Sequence, residues 1–195
     1  MDMNEKLEKI KKSSKIGKTV SRIIFVIALM GVVLSIVGAG FVLSQGKDFE
    51  QEARNAYDTG YVTTGMGVGV ANGVLINIGD PDELESSIPA LQKAMDENPY
   101  TVMILITIMG AATICLILAV VIKLIESVFA LIEKEENPFT DAVIKRVLTV
   151  MIIISALMLF GTGAGLGILG FIITWVVYTI MDYGRMLQIQ SDETL

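Results

Sequence analysis

The side chains able to do chemistry in this chain are few and poorly grouped. It has no histidine, which removes the usual general base, proton shuttle and commonest metal ligand. Its single cysteine, Cys115, lies within an apolar run and has no second cysteine to pair with. With no charged neighbour in sequence to stabilise a thiolate, it reads as a small packing side chain. Ser35 and Ser155 also sit in apolar runs, with no base beside them. Ser127 is the nearest approach to an activated hydroxyl, because Glu126 and Lys123 are close in sequence. Those two charges lie three apart, however, and helix-end ion pairing accounts for them. Asp80, Asp82 and Glu85 lack the spacing of a calcium loop. The chain therefore reads as non-enzymatic, with no catalytic residue, no metal site and no cofactor. A net charge of −6 argues against direct nucleic-acid binding, which requires a basic face.

The elements that must position these residues are dominated by four apolar runs, 23–43, 100–122, 147–160 and 166–181, in a chain that is 53% hydrophobic. A helix rises about 1.5 Å per residue, so roughly 20 apolar residues cross a hydrocarbon core of about 30 Å. The expected fold class is an all-α membrane protein. Its core is a four-transmembrane-helix bundle, with a small extracytoplasmic helix and β-hairpin cap between helices 1 and 2. The first run exceeds the core of a secretion signal and follows a long basic leader, so it reads as a retained anchor.

The tail 1–22 carries seven lysines and arginines, and the segment following the second run adds Lys123, Lys134, Lys145 and Arg146. Segment 44–99 holds three cations against ten acidic residues. Positive charge stays on the cytoplasmic side. This places both termini and the middle loop in the cytoplasm of a bacterial cell and 44–99 outside, in a multi-pass protein of the cytoplasmic membrane. Every ionisable side chain lies at or beyond a span end, which leaves no intramembrane proton relay or charged pore ring.

Within 44–99, Phe49, Ala53, Ala56 and Tyr57 recur at helical spacing. Asn72-Gly73, between Val68/Val70 and Val74/Ile76, suits a type I′ turn and predicts a hairpin over 61–78. Asp80-Pro81-Asp82-Glu83 predicts a capped helix start. Leu84, Ile88, Leu91 and Met95 would form its apolar face, and Pro89 would kink it. The second membrane helix is expected to run on to about 132, before a cytoplasmic loop and helix start over 133–146. Thr140 can cap the third helix. Gly161-Thr162-Gly163-Ala164-Gly165 forms a tight hairpin, and Gly163/Gly167 and Gly31/Ser35 are small-xxx-small pairs suited to close packing in lipid. Tyr178 and Tyr183 suit an interface, while Trp175 is expected between helices.

The run E-N-P-F-T-D-A-V-I-K-R-V over 136–147 and the tail Y-G-R-M-L-Q-I-Q-S-D-E-T-L over 183–195 resemble a bacterial membrane family known as domain of unknown function 2975 (DUF2975). The likeness covers the chain from about Ala119 onward. It implies a four-span architecture and, because such proteins are often encoded beside small helix-turn-helix regulators, a sensing or signalling module with such a regulator as partner. The long glycine-rich outer segment and the Asp-Ala-Val-Ile-Lys-Arg stretch after N-P-F-T depart from the family pattern. The two motifs would meet on the cytoplasmic side, with Lys145 and Arg146 pairing with Asp192 and Glu193. One reading of that end is local capping plus a solvated tail. The other is a docking surface made of Asn137, Pro138, Phe139, Thr140, Lys145, Arg146, Gln188, Asp192 and Glu193. The functional expectation is an accessory or signalling membrane protein acting through partner contacts and the lipid bilayer. The alternative is a small transporter or an immunity-type protein that binds a peptide or toxic solute.

Overall fold

A computed structural model describes residues 3–59, 86–135, 137–161 and 163–193. The described residues are helical, with short turns and no strand. Six helices follow in order: α1 Met3–Gln45, α2 Lys47–Asp58, α3 Pro89–Glu97, α4 Pro99–Lys134, α5 Asp141–Gly161 and α6 Ala164–Glu193. Four of them, α1, α4, α5 and α6, are long and apolar enough to cross a membrane. The most apolar stretch of α1, and likewise that of α4, is only 6% buried within the chain. So much uncovered apolar surface is stable only in a solvent that is itself apolar.

The chain divides into two compact units, one of Met1–Ile27 with Leu118–Leu195, the other of Ala28–Ile117. In the first unit α5 and α6 form an antiparallel hairpin. Its turn is made by Gly163, whose φ of 110° is open to glycine but costly for other residues. The Gly163 N–H donates to the Met158 carbonyl at 3.2 Å. Gly163 therefore serves the turn. Gly167 is the close-packing residue: a Cβ built there would lie 2.5 Å from the Leu159 Cα. One turn further on, Gly170 makes room for Ser155, whose Oγ would be 2.7 Å from an added Cβ. Ser155 and Thr174 are both buried and their hydroxyls meet at 3.3 Å across the hairpin. Each hydroxyl also bonds the carbonyl four residues back, Met151 and Gly170 respectively. Thr174 takes the face toward α5, so Trp175, about 100° further round the helix, turns outward and is 71% exposed. The indole does not pack between helices.

In the second unit α3 begins at Pro89, which occupies the first turn behind an extended Ile88. Proline disfavours helical geometry in the residue before it and needs no hydrogen bond at N1. It starts this helix instead of kinking one, and Ile88 is exposed rather than part of an apolar face; Met95 is buried. The hairpin expected over 61–78 and the helix start expected at Asp80–Glu83 lie outside the described residues. Asn98 closes α3 through its N–H to Ala94 and opens α4 through its carbonyl to Val102.

The start of α4 shows how orphan donors are satisfied. Pro99 has no N–H to satisfy. Tyr100 and Thr101 donate theirs to Oε1 and Oε2 of Glu50 at 3.2 and 2.8 Å, and Val102 donates to Asn98. A carboxylate from α2, 49 residues before Pro99 in the sequence, thus caps α4 where the helix dipole also favours negative charge.

The hairpin packing yields a contrast. Gly167→Ala forces a methyl into the Leu159 backbone and is expected to destabilise the α5–α6 hairpin by about 1–3 kcal/mol. Gly165→Ala, which meets nothing within 4 Å, is expected to be neutral or mildly stabilising. Thermal unfolding of both variants in one mild detergent, followed by circular dichroism, reads the difference.

Candidate functional site

The charged chemistry of the first unit gathers where α1 and α4 leave their apolar runs. The two helices run antiparallel there: Gly17 meets Phe129, Arg22 meets Glu126 and Phe25 meets Lys123. Gly17 leaves room for the Phe129 ring, whose edge would lie 2.8 Å from an added Cβ. On α1 in this unit the buried positions are Ser14 and Ser21, seven residues apart. That period gives the seam of left-handed helix pairing, and small residues in it let the backbones come close.

Glu126 is the centre of this cluster. It lies four residues beyond the apolar run that closes at Ile122, and its side chain is only 7% exposed. Oε1 accepts from Arg22 Nε at 2.7 Å and Oε2 from Lys123 Nζ at 2.8 Å. Lys123 also stands over the Phe25 ring, 5.0 Å from its centroid, a cation–π contact. Further along, Lys18 donates to Glu133 at 2.7 Å. The hydrogen bonds from Lys123 and then Arg22 hold the Glu126 carboxyl below the usual glutamate range, against burial, which pushes it up. The hydrogen bond from Lys18 does the same for Glu133. Ser127 spends its hydroxyl on the Leu124 carbonyl at 2.6 Å, so its proton is already committed.

The sequence motifs of 136–147 and 183–195 are brought together in part. The Phe139 ring lies against Gly184, where a Cβ would be 2.8 Å from Cε1. Asp141 pairs with Arg185 beside it. Asn137 Oδ1 accepts the Phe139 N–H at 2.9 Å, and Thr140 opens α5 by accepting from Ile144 N at its carbonyl. Pro138 and Gln188 are half-buried. Lys145 and Arg146 are exposed and have no ion pair among the described residues. With Leu131, Ala142 and Thr149 they border a shallow surface depression. The side chains of Asp192 and Glu193, expected to pair with them, lie outside the described residues. Arg185 supplies the ion pair at this end.

Three functional contacts escaped sequence reading: Arg22 to Glu126, Lys18 to Glu133, and Glu50 to the start of α4. The first two have a signal in retrospect, since Glu126 and Glu133 lie seven apart on α4, and Lys18 and Arg22 lie four apart on α1. Among the described residues no three acidic or cysteine side chains gather as a metal site.

The geometry defines a class: a helical chain with four helices able to cross a bilayer, whose ion pairs among the described residues all lie outside the apolar runs. No family model, curated protein or solved structure matches the chain.

The sign of the pH dependence follows from the lowered carboxyls. Their stabilisation is fully present above the ordinary glutamate value of about 4.3, and is lost as pH falls through the lower folded values. Glu126→Gln is expected to lose about 1 kcal/mol at neutral pH, small because both cations keep exposed ends. The gap from the wild type should then close in acid. Melting temperatures of both proteins in detergent, measured from neutral pH down to about 3, would expose a constant gap if Glu126 were not ionised in the folded state.

Proposed function

We propose that the chain is a non-enzymatic, multi-pass protein of the bacterial cytoplasmic membrane that acts as an accessory or signalling module through partner contacts. Both termini and the 135–140 turn face the cytoplasm in this reading, and the segment between α1 and α4 forms a small outward cap on a four-helix bundle. The charge asymmetry supports that orientation, because the cations cluster at one set of helix ends and the acidic residues in the outer segment.

One observation carries the reading. The Phe139 ring lies against Gly184 and Asp141 pairs with Arg185, so the start of α5 and the last third of α6 share one edge. On that edge Lys145 and Arg146 remain exposed and without an ion pair among the described residues. Exposed cations without an ion pair at such an edge suit an acidic patch on a soluble protein. The DUF2975 resemblance supports a small helix-turn-helix regulator as that protein.

The test is co-purification in mild detergent. A soluble helix-turn-helix regulator encoded beside the gene should be retained by the wild type. It should be lost on Lys145→Glu/Arg146→Glu with helix content unchanged, and on deleting residues 188–195 with no helix lost beyond the removed end of α6. Solute flux through vesicles holding this chain alone, with no regulator retained, would replace signalling by transport.

A further inference from the structure

We infer that Arg22 and Lys123 form a binding site for a phosphate-ester anion at the membrane surface. The chemistry is that of an anionic phospholipid headgroup, and a soluble phosphate offers the same groups.

The site is built around Glu126. Its two oxygens hold one cation each, Arg22 through Nε and Lys123 through one ammonium hydrogen. One carboxylate therefore positions two positive groups and leaves one charge uncompensated. Arg22 keeps its two terminal nitrogens and Lys123 two further hydrogens for another acceptor. Both cations are accessible, at 62% and 59% exposure, while the carboxylate between them is nearly enclosed at 7%. The charge that water or a ligand meets is thus cationic. Phe25 beneath Lys123 limits how far the ammonium can swing.

Position supplies the second argument. Arg22 directly precedes the apolar run at 23–43, and Lys123 directly follows that at 100–122. Because α1 and α4 are antiparallel here, both cations stand at the same level, where the chain leaves hydrocarbon. Lipid phosphates occupy that level. The neighbouring pair differs: Lys18 and Glu133 are 26% and 32% exposed and balance each other. Lys15 adds positive charge near Glu133, but only at Glu126 does one enclosed carboxylate hold two exposed cations. A guanidinium with two free nitrogens beside an ammonium matches a phosphate's spread of acceptor oxygens.

The experiment uses the full chain in phosphatidylcholine vesicles with trace spin-labelled phosphatidylglycerol, and reads its association relative to spin-labelled phosphatidylcholine. Arg22→Gln and Lys123→Gln are made singly, so Glu126 always keeps one partner and is never orphaned. Each is expected to lower the selectivity about tenfold, beyond the roughly fivefold that one surface cation contributes without a site. Arg22→Lys and Lys123→Arg should retain most of it. Lys11→Gln and Lys12→Gln report the nonspecific effect and should fall within the fivefold. Inorganic phosphate is the second arm. Displacement of the probe by phosphate, but not by chloride at equal ionic strength, assigns the site to a soluble phosphate; no displacement assigns it to lipid. Equal losses at Arg22, Lys123, Lys11 and Lys12, or no preference for the anionic label, would overturn the proposal.

Discussion

Charge is expensive in hydrocarbon, and that constraint orders the whole chain. An ionised side chain at the centre of a bilayer costs several kcal/mol or more, so ion pairs are available only where helices emerge. The ion pairs among the described residues obey this. Arg22 and Lys123 with Glu126, Lys18 with Glu133, and Arg185 with Asp141 all lie beyond the apolar runs. Between these ends, apolar side chains give no discrimination, because lipid tails are as apolar as leucine. Helix recognition within the runs must come from shape and from hydroxyls.

The two units meet this requirement by different means. The α5–α6 hairpin uses glycine against backbone at Gly167 and a hydroxyl pair, Ser155 with Thr174, across the interface. The hydroxyls have one proton each, and each gives it to a carbonyl on its own helix, so they bond each other only when one proton is shared or turned away from its carbonyl. In the second unit, Gly31 lies against Cys115 and Gly38 against Ile108, which pairs α1 with α4 by small residues against modest ones. Ala28 and Val42, both buried, lie on α1 with a separation of two heptads. Here the lone cysteine fills space that a larger side chain would overfill.

Much of the architecture was legible because it rests on the length and polarity of runs, which a sequence displays directly. The apolar segments and the turn at Gly161–Gly165 are of this kind. So is the Lys123–Glu126 pair, which lies within one helix. What was not legible depends on which helix faces which. Nothing in the local sequence says that Glu126 also receives Arg22 from 104 residues away, or that Glu50 caps a helix starting at Pro99. Trp175 was misplaced for the same reason: its orientation is decided by Thr174 taking the contact face. Pro89 was misread for a local reason, since a proline inside an apolar pattern looks like a kink until the preceding residue proves extended. At the candidate site, the sequence displayed the motifs 136–147 and 183–195 but not the joint between Phe139 and Gly184, which needs glycine's missing side chain.

Glu50 has a topological effect beyond capping. By gripping the start of α4 from α2, it closes the intervening chain into a ring without a covalent link. The entropy of closing such a ring grows only with the logarithm of its length, about 0.6 kcal/mol for each doubling. Residues added between α2 and α3 therefore burden the scaffold little. The segment between α2 and α3 is the part of this molecule best able to change in size and composition over evolutionary time, while the helices that flank it keep their register.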